Sequence, residues 1–174
     1  MDKPISQSLE IVIPAFRMHT QMFDNIIDGI REDDALRRVE GRTNHIVWMA
    51  GNLVNCRYWL SDVLGMKDKD PNEALFGNAK ALDDSLPYPA LSVLKEQWHK
   101  ISPEIYKGLL LMSQEQLQSD YEFGMGIDFI QENKMNMVGM ALDRQSYLFG
   151  QIGLMRRILG YEGVRYDINK ALNY

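Results

Sequence analysis

Apolar residues recur at threes and fours along four stretches of the chain, the period of helices that bury one face. The first stretch spans residues 6–31. Ile11, Phe16, Met22, Phe23, Ile26, Ile27 and Ile30 keep that spacing, and Pro14 predicts a bend or a restart. The second begins at Thr43 or Asn44, both N-capping residue types, and ends at Gly65. The third runs from residue 88, with Leu91, Leu94, Trp98, Ile101, Ile105, Leu109 and Met112 mostly on one face. Inside it, Ser102 and Pro103 read as a cap and a first-turn proline, which predicts a kink and a fresh start. The fourth covers 128–159 and closes on Arg156, Arg157 and Gly160. Residues 66–88 carry prolines, acids and a Gly-Asn pair and read as a loop. Loops that long are functional or are packed by their own side chains, and Phe76 is the expected anchor. The pattern predicts one all-α domain over residues 1–174: an antiparallel four-helix bundle with a long connection between the second and third helices.

Two inward stripes carry the candidate chemistry. His45, Trp48, Asn52, Cys56 and Trp59 form one on the second helix, and Met137, Met140, Arg144, Leu148, Gln151 and Met155 form the other on the fourth. Most of both stripes reads as core. Asn52, Arg144 and Gln151 are the polar exceptions. An unpartnered buried polar group costs roughly 1–3 kcal/mol, so these residues are expected to meet one another or reach water. That places the second and fourth helices side by side.

Composition narrows the classes of function. Hydrophobic residues make up 45% of the 174 and charged residues 25%, an ordinary globular balance. A net charge of −5 argues against nucleic acid as a partner. The single cysteine, Cys56, allows no internal disulfide and suits a reducing compartment. The N-terminal residues do not read as a signal peptide, and no apolar run approaches the roughly 18–20 residues that span a bilayer. A soluble cytoplasmic protein without membrane partners is the expectation. The 11 methionines at helical spacing read as adaptable packing, around a pocket or a homodimer seam.

Two segments resemble a known family. "NHIVWMAGNLVNCRYWLSDVLG" is similar to the second helix of the DinB-like bundles, also called the damage-inducible or YfiT-like group, and "LDRQSYLFGQIGLMRRILG" is similar to their fourth. The "NEALFG" loop and the following "YPALSVLKEQW" also look like that family's middle section. The resemblance implies a bacterial DinB-like bundle. It also implies a site in which three histidines, one from the second helix and two from the fourth, hold a divalent metal with an open position. Those positions fall on Asn52, Arg144 and Leu148, and the glutamate beside the first fourth-helix ligand falls on Gln145. None of the three is a histidine. Leucine cannot coordinate and arginine repels a cation, so no metal and no cofactor are expected.

The remaining residues do not rebuild the site. His45 lies two turns before Asn52, roughly 10 Å along the axis. His19 and His99 lie on the first and third helices, and an inward Cys56 reads as an inert thiol. The family it resembles includes metal-dependent thiol transferases and putative hydrolases, so the alternative reading is such an enzyme working without the three-histidine metal site. The lost ligands favour instead a metal-free binding or structural protein with a residual polar pocket lined by Asn52, Arg144 and Leu148, with His45, Trp48, Cys56, Gln145 and Gln151 as neighbours. Two answers for the Arg144 guanidinium follow. One is a buried plug paired with Asp24 or Asp28, its hydrogen bonds completed by Asn52 and Gln151. The other is a small anionic ligand gripped from outside. The plug is favoured, because Leu148 makes the cavity smaller and drier than three imidazoles would.

Overall fold

The structure, a computed structural model, describes residues 2–174. It is all-helical, and no strand is formed among the described residues. Four long helices, α1 (Val12–Ile27), α3 (Ile46–Val63), α5 (Leu91–Leu111) and α7 (Lys134–Ile158), are joined by segments that carry three short ones, α2 (Glu32–Ala35), α4 (Glu73–Phe76) and α6 (Gln114–Gln118).

Local chemistry sets the ends of the long helices. Pro14 lies in the first turn of α1, where its missing N–H has no helical partner to lose, so it starts the helix and does not bend it. The helix stops at Ile27, before Gly29 takes a left-handed φ of 71°. The cap of α3 is His45, one residue beyond the expected caps: its Nδ1 accepts the Trp48 N–H at 2.9 Å. Thr43 is occupied elsewhere, accepting the Val39 N–H. Gly65, with φ 83°, ends α3 as expected. No fresh start occurs at Ser102. The Ser102 hydroxyl donates back to the Trp98 carbonyl at 2.7 Å, and α5 continues through Pro103. The last helix begins later than its periodicity suggests. Asn133 caps it, while Glu132 is drawn away to accept the N–H groups of Phe123, Gly124 and Met125.

Packing follows from the apolar stripes. α3 lies against α7 and α5, and α1 lies against the same two. Contacts give the directions. Asn52 meets Arg144 and Cys56 meets Ala141, so α3 and α7 are antiparallel. Phe23 stacks on Trp98 while Phe16 lies by Tyr106, so α1 and α5 are antiparallel too. His45 lies by Tyr88, and Arg57 by Trp98, so α3 and α5 run the same way. His19 meets Gln145 and Arg156 meets the Ile26 carbonyl, so α1 and α7 are parallel. The antiparallel order expected from the sequence therefore holds for two neighbouring pairs and fails for two. The reason is the connection 64–90. It is long enough to carry the chain back to the end where α3 began, so α5 repeats the direction of α3.

Phe76 anchors that connection, as expected. It is buried, and its ring lies so close to α3 that a Cβ on Gly51 would sit 2.0 Å from its Cζ. The core is continuous from Phe16, Phe23 and Trp98 through Leu53, Leu60 and Ile152. Among the described residues no helix is long and apolar enough to cross a membrane.

Candidate functional site

A cleft of about 720 Å³ opens between α3, α7 and the two long connections. From α3 come Asn55, Cys56, Tyr58, Trp59 and Asp62. The 68–79 segment held down by Phe76 adds Asp68, Lys69, Asp70 and Glu73. Tyr121 and Phe123 close it from the connection before α7, and Met140, Asp143 and Arg144 from α7 itself. One wall is aromatic: Trp59 and Phe123 lie with ring centres 5.0 Å apart. The Tyr121 hydroxyl donates to Asp62 at 2.7 Å; burial, and then this carboxylate, push its pKa up to about 12. One turn before Trp59 on the same face of α3, Asn55 orders the 68–79 segment: its amide donates to Asp70 at 2.8 Å and to Glu73 at 3.2 Å.

The sequence-predicted positions are partly brought together. Asn52 is buried, donates to the Trp48 carbonyl at 3.0 Å and accepts from Arg144 at 2.9 Å. Arg144 itself is exposed on the cleft rim. Neither proposed carboxylate reaches it, because Asp24 pairs with His99 and Lys95 and Asp28 pairs with Arg165. The buried-plug expectation is therefore corrected. The cause is rotation of α7: Ala141, Gln145, Leu148, Phe149 and Ile152 face the core. Each residue turns a helix by about 100°, so the expected inward positions Met140, Arg144 and Gln151 fall on the flank. Gln151 is half-buried and outside the cleft. His45 is spent as a cap, and Trp48 lies outside the lining. Leu148 is buried core.

The three positions that the sequence resemblance aligned with metal ligands do not fit a metal. Leu148 has no donor atom, Arg144 is a cation, and the Asn52 oxygen already accepts from Arg144. No three His, Cys, Asp or Glu side chains converge as a ligand set among the described residues.

Beneath the cleft lies a buried polar layer that holds two of the expected pocket neighbours, Cys56 and Gln145, together with Arg57, which the sequence reading missed. Gln145 is 0% exposed, with Oε1 3.3 Å from His19 Nδ1 and Nε2 3.8 Å from Cys56 Sγ. Cys56 donates to the Ala141 carbonyl, and burial pushes its thiol up to about 11. At the centre is Arg57, also 0% exposed. It is sandwiched 3.7 Å from the centre of the Phe16 ring and 4.1 Å from that of Trp98. Its Nη2 donates to the Phe16 carbonyl at 3.3 Å, while Nε and Nη1 find no acceptor among the described residues. The signal was present in the spacing: Leu53, Arg57 and Leu60 are separated by four and three, which puts Arg57 in the apolar stripe.

This layer predicts acid sensitivity. Burial, and then the Arg57 charge, hold His19 down to about 4 from its ordinary 6.5, and burial likewise lowers His45 to about 4. Both imidazoles are neutral in the folded protein, and the unfolded chain takes up their protons first. Stability is therefore expected to fall as pH drops from 6.5 towards 4, by roughly 2 kcal/mol for His19 between pH 6.5 and 5. Urea unfolding at pH 7, 6 and 5 measures it. His19→Gln should flatten the profile relative to wild type, and an unchanged slope would refute the assignment.

Arg144→Ala should cost only about 1 kcal/mol in urea unfolding, because the side chain is exposed and its loss leaves water to reach Asn52. A loss of 3 kcal/mol or more would restore the buried-plug reading.

The sequence matches no protein-family model, no curated protein and no solved structure.

Proposed function

We propose that this is a small-molecule-binding protein built on a DinB-like helical bundle that uses the α3–α7 cleft without a metal. The observation that carries the reading is the cleft itself. Its volume lies within the roughly 300–1,000 Å³ of small-molecule sites, and aromatic and polar groups converge on it. The adjacency of Asn52 and Arg144 supports the alignment of the two helices with their DinB-like counterparts, as does the long connection before α5.

Binding is favoured over catalysis by the state of the reactive groups. The Cys56 thiol is raised and the His19 imidazole lowered, the opposite of an activated thiolate–imidazolium pair. A metal-free homodimer in the cytoplasm completes the proposal. Exposed Tyr147, Leu154 and Ile158 of α7 offer the apolar surface for pairing. Light scattering that finds only monomer at all practical concentrations removes the dimer, and a stoichiometric metal in untagged protein removes the metal-free assignment.

The test of binding is a thermal-shift screen with a chemically diverse library on wild type and on Met140→Trp, which fills the cleft from α7. Compounds that stabilise wild type and not the filled variant are expected. If none stabilises wild type, or all act equally on both, the cleft is not a binding site.

A further inference from the structure

We infer that the cleft ligand is an organic cation, a protonated amine or diamine with a short apolar body. The inference rests on the binding reading above and names its ligand class. Five carboxylates line the cleft, from Asp62, Asp68, Asp70, Glu73 and Asp143, against two cations, Lys69 and Arg144. Among the described residues none of these seven groups forms an ion pair, although eight pairs form elsewhere.

Asp70 carries the argument inward. It is only 8% exposed and lines the cleft, with its charge met by the Asn55 amide and the Asn72 N–H and by no cation. Burying a carboxylate without a counter-charge is unfavourable, and a ligand cation beside it offsets that cost. The second observation is independent of charge. The same cleft is lined by Trp59 and Phe123, and aromatic rings attract cations that have lost water. A bare metal ion gains from the acids but not from these rings. An organic ammonium gains from both, and the unbalanced acids repel an anion, so the anionic ligand weighed as the alternative for Arg144 is not proposed for the cleft.

The test is calorimetric titration of the full chain with 1,4-diaminobutane, tetramethylammonium chloride, magnesium chloride and disodium succinate at matched ionic strength. Saturable binding of an ammonium probe is expected. It should weaken roughly tenfold, about 1.4 kcal/mol, in both Asp70→Asn and Trp59→Leu. The exposed Asp143→Asn keeps the fold in reserve should Asp70→Asn unfold, and it should weaken the same probe. Magnesium binding alone would replace the organic cation by a metal ion and overturn the inference. Succinate binding alone, or library compounds that are neutral and bind in the cleft, would overturn the cation class while leaving the binding reading intact. No binding by any probe, with an empty library screen, would remove both.

Discussion

Replacing Phe76 by alanine is expected to lower the unfolding free energy by about 3–5 kcal/mol, the range for truncating a buried phenylalanine. Its ring holds the 68–79 wall of the cleft against the backbone of α3. The fit is to a residue without a side chain: a Cβ on Gly51 would overlap the ring carbons at 2.0–2.5 Å. Gly51→Ala alone should therefore also be strongly destabilising, because the ring or the helix must move. The combination makes the prediction sharp. In Gly51→Ala with Phe76→Ala, the added methyl enters space the ring has vacated. The double variant should lose clearly less than the two single losses added together. Urea unfolding of all four proteins measures this cycle. Additive losses would mean that Phe76 does not pack on Gly51. Loss of the anchor should also abolish binding in the cleft.

Arg57→Met is expected to raise stability, by up to about 1–4 kcal/mol, the range for replacing a buried ion pair by apolar side chains of similar volume; here no partner charge is left behind. Two effects oppose each other at this residue. The cation lies between two rings, worth about 2 kcal/mol when desolvated. Against that stand the several kcal/mol of taking a guanidinium out of water and two nitrogens, Nε and Nη1, without acceptors among the described residues. Among the described residues no carboxylate pairs with it, and burial lowers the affinity of Arg57 for its proton. The desolvation side is larger, so methionine, which fills most of the same space, should win. Arg57→Ala should instead destabilise by about 2–5 kcal/mol, because a cavity opens between Phe16 and Trp98. Thermal and urea unfolding separate the outcomes. If Arg57→Met loses as much as Arg57→Ala, the guanidinium is held by partners beyond the Phe16 carbonyl and Thr20.

The helices themselves were legible in the sequence because their signals are local. Gly65 ends α3 through its own backbone freedom, and periodic leucines and isoleucines mark the buried face of α5 whatever it packs against. Phe76 was legible for a similar reason, as the one phenylalanine in a connection rich in acids and prolines. The pairing of Asn52 with Arg144 was legible as polar interruptions in two apolar stripes that needed partners, and the two side chains do meet. Tertiary structure decided the rest. Whether Arg144 or Gln145 faces inward depends on a rotation of α7 by one residue, which neighbouring helices set and periodicity leaves open in a helix whose polar and apolar residues are mixed round its circumference. The parallel run of α3 and α5 depends on the path of the 64–90 connection, and no local residue encodes that path. The cleft draws Trp59, Asp70, Tyr121 and Asp143 from four separate segments, so its charge and its aromatic wall exist only once those segments are folded together.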